Sequence, residues 1–212
     1  SSDGIVKIYK NFENSDDCTL LTSWRALTDI ILTPRSVGLI NEWQQSRGSL
    51  LVTGDVKVIK VWDAPREKCV MDIPIRSTSQ VLTMTSDLVS GNIIATGFQD
   101  GSLRVYDRRL DSRDAMVKVY KPQTILEKSP LKNVHMQRGG LRELVSGSAN
   151  GLVRLWDIRQ DSAIESFRPF NKTMTTAYIH EHAPVIACAD KEVRMYSTSG
   201  ELITNVSNNG FI

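Results

Sequence analysis

The sequence is poor in the residues that hold metals or cross-link a chain. Its 212 residues include three cysteines and three histidines, with no Cys-x-x-Cys pair. An odd, sparse set of cysteines (Cys18, Cys69 and Cys188) predicts reduced thiols rather than a disulfide framework. His180 and His182 alternate on one predicted strand, where two imidazoles lack a third ligand. We therefore expect both histidines at the surface, and no bound metal.

Long apolar runs and catalytic motifs are also missing. No apolar stretch approaches the ~18 residues of a membrane span, and the first residues lack the pattern of a secretory signal. Neither a phosphate-binding glycine loop nor the Gly-x-Ser-x-Gly of a hydrolase occurs. The net charge of +2 is too small to indicate a nucleic-acid or membrane-surface partner. We expect no enzymatic activity, no cofactor, no nucleic-acid partner and no direct membrane insertion.

What the sequence does contain is a pattern that returns five times. Each copy has a turn or small residue, then β-branched residues alternating with a basic one, then an aromatic residue. The five aromatic residues are Tyr9, Trp62, Tyr106, Trp156 and Tyr196. Their intervals of 53, 44, 50 and 40 residues lie near the period of roughly 40–45 residues of a four-stranded propeller blade.

Each repeat is predicted to contain four strands. A short apolar run precedes each hairpin turn, and Asp100-Gly101 and Asn150-Gly151 favour such turns because these residue types tolerate positive φ. Asp follows the aromatic residue in three copies, which is typical of the WD repeat. The predicted fold is all-β: residues 1–212 form a single segment of a WD-repeat β-propeller, about four and a half blades of a probable seven. Because a propeller is stabilised by closure of its ring, we expect the remaining blades outside these residues.

A basic residue stands two positions before each repeat aromatic, on the same strand face. These basic residues are Lys7, Lys60, Arg104, Arg154 and Arg194. They could form a basic stripe for nucleic acid, or their aliphatic stems could cover the aromatic rings while the charges reach water or an Asp. Acidic turn residues largely offset their charge, which favours the second interpretation.

One connection between predicted blades is unusually apolar. Residues 28–37 join the last strand of one blade to the first strand of the next, and loops on rigid scaffolds often carry function. We predict a protein-binding patch here, with packing of the loop onto its own blade as the alternative. The candidate contact residues are Ile30, Ile31, Leu32, Pro34 and Arg35. The loop of residues 122–130, which contains Ile125 and Leu126, is a second and weaker candidate.

Two turns leave a different function open. Residues 106–109 and 156–159 resemble the Trp-Asp-x-Arg element of substrate receptors for cullin-RING ubiquitin ligases. In such a receptor, Arg109 or Arg159 would dock the ligase adaptor. Ordinary blade packing and turn bonding are the structural explanation of the same residues.

Longer stretches are more specific than the repeat itself. They include GSLLVTGDVKVIKVWD (48–63), DGSLRVYDRR (100–109) and SGELI (199–203). Together these stretches resemble the C-terminal WD-repeat domain of the Raptor family, the regulatory subunits of target-of-rapamycin complex 1, and they suggest a fungal member. The resemblance spans nearly the whole chain, although residues 121–131 depart from the pattern.

The resemblance implies a non-enzymatic scaffold that helps to assemble and position the target-of-rapamycin kinase complex and its substrates in nutrient signalling. The implied partners are the kinase and the other subunits of its complex. The implied location is the cytoplasm, with peripheral association at the vacuolar or lysosomal membrane through partners. The family's substrate-motif groove belongs to another region of the full protein, so the resemblance assigns no binding residue in this sequence.

Overall fold

The fold is built from short antiparallel strands. The computed structural model describes residues 3–13, 16–28, 37–137, 144–170, 174–180, 183–190 and 192–206. These residues form eighteen strands and two short 3-10 turns, Gln45–Arg47 and Ile125–Glu127. In this described part of the chain, no helix has the length and apolar character needed to cross a membrane.

The strands form five sheets, named blades 1 to 5 in chain order. Blade 1 contains β1 (Ile5–Lys10) and β2 (Thr19–Arg25). Blade 2 contains β3 (Ile40–Gln44), β4 (Ser49–Thr53), β5 (Val58–Asp63) and β6 (Lys68–Pro74). Blade 3 contains β7 (Val81–Ser86), β8 (Ile93–Phe98), β9 (Leu103–Asp107) and β10 (Met116–Tyr120). Blade 4 contains β11 (Leu131–Met136), β12 (Leu144–Ser148), β13 (Val153–Trp156) and β14 (Ala163–Phe167). Blade 5 contains β15 (Thr176–Ile179), β16 (Val185–Ala189), β17 (Val193–Ser197) and β18 (Leu202–Val206).

Blades 2 to 5 share one topology. In each of them the four strands pair antiparallel in the order in which the chain runs, so every blade is a simple meander. In blade 1, β1 pairs with β2 in the arrangement that the third and fourth strands adopt in the other blades. The prediction of an all-β fold with four strands in each complete repeat is confirmed.

The repeat aromatics occupy the third strand of each complete blade. Tyr106 is fully buried, and Trp156 and Tyr196 are nearly so, whereas Tyr9 in blade 1 is 48% exposed. The indole nitrogen Nε1 of Trp156 donates a hydrogen bond to Oγ of Ser146 at 2.8 Å. In blades 3 to 5 these side chains anchor the hairpin inside the fold because they bury a large apolar area and their polar atoms are hydrogen-bonded.

The hydrophobic core lies between the blades. Leu51 and Ile59 of blade 2 pack in one cluster with Ile94 and Phe98 of blade 3. Similar clusters join blades 3 and 4, blades 4 and 5, and blades 1 and 2. Each blade therefore depends on its neighbours for burial, and the described blades act as one packed unit.

The first strands of successive blades lie side by side, β3 next to β7, β7 next to β11 and β11 next to β15. As edge strands they present backbone N–H groups that need acceptors. Side chains of the preceding blade supply them: the Ser86 amide donates to Oε1 of Glu42 at 3.0 Å, and the Met136 amide donates to Oγ1 of Thr85 at 3.4 Å. The sheets are thus arranged around a common axis.

The Glu42 contact gives the propeller a testable pH dependence. Burial raises the pKa of Glu42, although hydrogen bonds from Ser86 oppose the shift. An acid whose pKa is higher in the folded state contributes stability below its ordinary pKa of 4.5, and this contribution is lost as the pH rises through the raised value.

We expect Glu42→Gln to make the stability of blades 2 and 3 less dependent on pH between about 4.5 and neutrality. The amide oxygen of Gln still accepts the Ser86 bonds but carries no charge. Hydrogen exchange of peptides from β3 and β7, measured across this pH range, would check it. If the pH dependence of protection is the same in the variant and in the wild type, Glu42 does not titrate in this way.

Lys60, Arg104, Arg154 and Arg194 are engaged within the fold, as the second interpretation of the sequence predicted, whereas Lys7 in blade 1 is exposed. The guanidinium carbon of Arg154 lies 5.6 Å from the centre of the Trp156 ring. Arg154 also forms an ion pair with Glu127 at 2.7 Å, while Lys60 pairs with Asp72 at 3.0 Å. Their charges are engaged within the protein, which argues against a nucleic-acid stripe.

Two of these residues make a further ring contact that the sequence did not predict. Arg104 and Arg194 also lie over aromatic rings outside their own strands. Their guanidinium carbons lie 4.7 Å from the ring centre of Phe98 and 4.8 Å from that of Phe170. Strand alternation places a basic residue on the correct face, but packing between strands decides which ring it meets.

Candidate protein-binding surface

The ends of the strands define two faces. The connections between blades and the turns between second and third strands lie on one side, here called the connection face. There, the Asp100 amide donates to Oγ of Ser79 at 3.0 Å and the Asn150 amide donates to Oγ of Ser129 at 3.2 Å. The turns between first and second strands, and between third and fourth, lie on the opposite turn face.

The predicted apolar patch lies on the connection between blades 1 and 2. Its candidate contact residues, Ile30, Ile31, Leu32, Pro34 and Arg35, lie outside the described residues. On one side of the gap, Ala26 and Leu27 are buried. On the other side, the Val37 amide donates to Oδ1 of Asp55 at 3.4 Å, in the turn after β4. The flanks thus emerge on the connection face, and the contact role of the loop stays a prediction.

A groove opens between blades 3 and 4 at the outer rim. This rim groove has a volume of about 420 Å³ and is lined by the Lys121–Gln123 segment together with Tyr120, Glu127, Arg154, Trp156 and Asp161. The Tyr120 and Trp156 rings form its floor, with their centres 4.5 Å apart. The ion pair of Arg154 with Glu127 ties the loop of residues 122–130 to blade 4.

The polar groups of the rim groove are largely committed to the fold. The Tyr120 hydroxyl donates to the carbonyl oxygens of Gln160, at 3.0 Å, and Asp157, at 3.2 Å. Burial, together with the negative charges of Asp157 and Asp161, raises the pKa of Tyr120 to about 12. The groove therefore offers an aromatic floor and charged walls.

Ile125 stands beside this groove on the short 3-10 turn and is 86% exposed. It belongs to the second, weaker patch that the sequence predicted. The sequence did not predict the groove itself, because Tyr120, Trp156 and Asp161 come from different strands and turns with no shared motif. Two sequence signals pointed to this region: the apolar residues of the loop 122–130 and the departure of residues 121–131 from the family pattern.

Arg109 and Arg159 bond within their own turns, which is the structural explanation given above for these residues. Nε of each arginine donates to Oδ1 of the aspartate two residues before it, Asp107 or Asp157, at 2.9 Å. The hydrogen bond from Arg109 is the main cause of the lowered pKa of Asp107. Both arginines close their own turns, so a role in docking a ligase adaptor is not favoured.

The cysteines and histidines that the structure describes do not form a cluster. Cys18, Cys69 and Cys188 are free thiols, and burial raises the pKa of Cys188 to about 12. The His135 ring stacks on Tyr178 with centres 3.9 Å apart, whereas His182 lies outside the described residues. Among the residues that the structure describes, no group of three or more His, Cys, Asp or Glu side chains is placed to hold a metal ion.

Meandering sheets around one axis, with aspartate after three of the five strand aromatics, make this chain a WD-repeat β-propeller. It is 49% identical to the target of rapamycin complex 1 subunit KOG1 of Saccharomyces cerevisiae over 98% of its residues. It is 43% identical to the target of rapamycin complex 1 subunit mip1 of Schizosaccharomyces pombe over 99%. In the crystal structure of Raptor from Chaetomium thermophilum, a region 41% identical to this chain superposes on 98% of it with a TM-score of 0.87. The chain belongs to the Raptor family, and these three relatives are fungal.

These relatives are much longer than the chain. It spans 14% of KOG1, 16% of mip1 and 19% of the Raptor chain in the crystal. No protein-family model matches the chain. The prediction that residues 1–212 form a single propeller segment, and the total number of blades, stay predictions.

Proposed function

We propose that this chain is part of a subunit of target-of-rapamycin complex 1 and serves there as a non-enzymatic interaction platform. The observation that supports this most strongly is the 49% and 43% identity, over nearly the whole chain, to two proteins named as subunits of that complex. The proposed partners are the kinase and the other subunits of its complex. The proposed location is the cytoplasm, with peripheral association at the vacuolar or lysosomal membrane through those partners.

The proposed mechanism is rigid display. The cores lie between blades, so a loop on either face is held in a fixed position relative to loops several strands away. A partner that contacts such a surface does not have to order it, and this lowers the entropic cost of binding. Assembly and positioning of the kinase and its substrates would follow from contacts made by these loops and grooves.

The alternative of a cullin-RING substrate receptor has less support. Arg109 and Arg159 would have to leave the aspartates of their own turns to dock an adaptor. Arg159→His separates the two functions, because it would abolish adaptor binding in a ligase receptor and leave the kinase complex intact.

Among the described residues, the rim groove is the surface at which the proposed partner binding can be tested by substitution. We expect Ile125→Asp in the full-length protein to reduce the amount of kinase that co-purifies by about tenfold. A partner's apolar side chain against Ile125 would lose its contact and meet a charge, and central contacts of this kind are worth roughly 1–2 kcal/mol or more. Quantitative affinity purification from cells that express the variant measures the effect.

Val70→Asp is the matched control. Val70 is another exposed aliphatic residue, 54% exposed, but it lies on β6 of blade 2, away from the rim groove. It should leave kinase recovery unchanged. Equal recovery with Ile125→Asp and the wild type would remove the rim groove from the proposed interface.

A further inference from the structure

Two arginines from different blades meet on the turn face without an acidic partner. Arg47 ends the 3-10 turn between β3 and β4 of blade 2, and Arg108 follows β9 in blade 3. Arg47 donates from Nε to the Ser90 carbonyl at 2.6 Å and from Nη2 to Oδ1 of Asn92 at 2.5 Å. Arg108 donates from Nη1 to Oε1 of Gln44 at 2.5 Å. All of these acceptors are neutral.

No carboxylate compensates the two positive charges within the described residues. Neither guanidinium has an ion-pair partner there, whereas the neighbouring Arg109 is paired with Asp107. Asp87, the acid in the loop beside them, accepts bonds from the Val89 and Ser90 amides and from the Ser90 hydroxyl. Burial and the positive charge of Arg47 lower the pKa of Arg108, and no acid contributes an opposing shift. The two positive charges are therefore not neutralised by any acidic side chain among the described residues, and a bound anion would be stabilised between them.

The arginines are also held in place before any ligand arrives. Arg47 lies against Gly91, where a Cβ would come within 2.9 Å of the Arg47 Cδ atom. The Arg108 amide donates to the carbonyl oxygen of Asn92 at 2.9 Å. Gln44, which accepts from Arg108, is fully buried and donates from Nε2 to the carbonyl oxygen of Gly91 at 3.1 Å. The Arg47 side chain is thus held on residues 90–92 and the Arg108 side chain on the buried Gln44, which favours binding because little entropy is left to lose.

The equivalent junction between blades 4 and 5 shows that the fold does not require this cation. There Gln137 donates from Nε2 to the carbonyl oxygen of His180 at 2.8 Å, as Gln44 does to the next blade. At that junction Thr198 of blade 5 stands two residues after the strand aromatic, where blade 3 has Arg108, and its amide donates to the carbonyl oxygen of Pro184 at 3.1 Å. Blade 4 has Ile158 at the same position, packed against the core between blades 3 and 4. The glutamine bond between blades is therefore structural, and the arginine is an addition to it.

We propose that Arg47 and Arg108 form a binding site for the phosphoryl group of a phosphorylated serine on a partner protein. Guanidinium groups present paired donors that match phosphate oxygens, and each arginine has N–H groups that no described residue engages. A phosphate monoester carries close to two negative charges at neutral pH, so it balances both arginines, whereas one carboxylate does not. Val89, exposed in the same loop, offers an apolar contact for a flanking residue of the peptide.

Binding of a fluorescent peptide library to the full-length protein tests the site. The probe is a set of short peptides with one phosphoserine at a fixed position and random flanking residues, and two otherwise equal sets carry aspartate or serine there. We expect a saturable rise in anisotropy for the phosphoserine set, and a Kd at least tenfold higher for Arg108→Ile and for Arg47→Ser. Arg108→Ile copies the residue of blade 4, so it should fold, and its thermal melting curve confirms this. Arg159→Ser removes an arginine already paired with Asp157 and should bind like the wild type.

Each other outcome overturns the proposal. Equal affinity of the wild type and both arginine variants would show that peptide binds elsewhere. Equal binding of the aspartate and phosphoserine sets would indicate a carboxylate site. If inorganic phosphate protects both arginines from phenylglyoxal modification but no phosphopeptide binds, the pair is a site for free anions. Absence of any binding to the wild type would remove the site altogether.

Discussion

Replacing Trp156 with alanine is expected to destabilise blade 4 by about 3–5 kcal/mol. Trp156 is only 6% exposed, its ring packs 4.5 Å from that of Tyr120, and its indole nitrogen is bonded to Ser146. The substitution leaves a cavity and an unpaired Ser146 hydroxyl at the junction of blades 3 and 4. Because the two blades share a core, the effect should reach beyond the substituted strand.

Hydrogen exchange of the full-length protein, followed by mass spectrometry, measures this loss locally. Peptides from β12 and β13 should exchange at least a hundredfold faster in Trp156→Ala, and peptides from β9 and β10 should also lose protection. Phe12→Ala is the matched control, since Phe12 is 77% exposed. Loss of protection confined to β13 would contradict a core shared between blades.

The second large effect is expected at Gly101, in the turn between β8 and β9. Its φ of +82° belongs to the left-handed region, and a Cβ there would overlap the Glu127 carbonyl oxygen and come within 2.9 Å of the Ser129 oxygen. Gly101→Ala therefore combines backbone strain of roughly 1–2 kcal/mol with overpacking worth about 1–3 kcal/mol. Since the obstacle is backbone, the loop of residues 122–130 would have to shift.

Gly200→Ala separates the two contributions. Gly200 has a similar φ of +80°, but a Cβ there would meet only the Phe167 ring, at 3.3 Å. Chemical denaturation monitored by hydrogen exchange should show a loss at Gly101 about twice that at Gly200. Equal losses would mean that the close approach of the 127–129 segment does not stabilise the propeller.

The parts of the fold that sequence could predict are those governed by local pattern. Alternation along each strand, and Asp-Gly or Asn-Gly at the turns, place the hairpins, and the repeat aromatics mark the third strands. The structure confirms both, with Gly101 and Gly151 at positive φ. Trp156 and Tyr106 are buried where the repeat predicted them.

The contacts between blades could not be predicted in the same way. Arg104 lies over Phe98 because the strands β8 and β9 bring the two residues together, a contact that the spacing along one strand does not reveal. Arg47 and Arg108 are far apart in sequence and meet only because blades 2 and 3 pack side by side. The rim groove arises in the same manner, since its two floor rings come from different blades.

The most direct test of the platform is affinity purification of the full-length protein from its own cells, with bound proteins identified and quantified by mass spectrometry. We predict recovery of the target-of-rapamycin kinase in near-stoichiometric amounts. Recovery of a cullin-ligase adaptor in its place, or of the protein without the kinase, would contradict it.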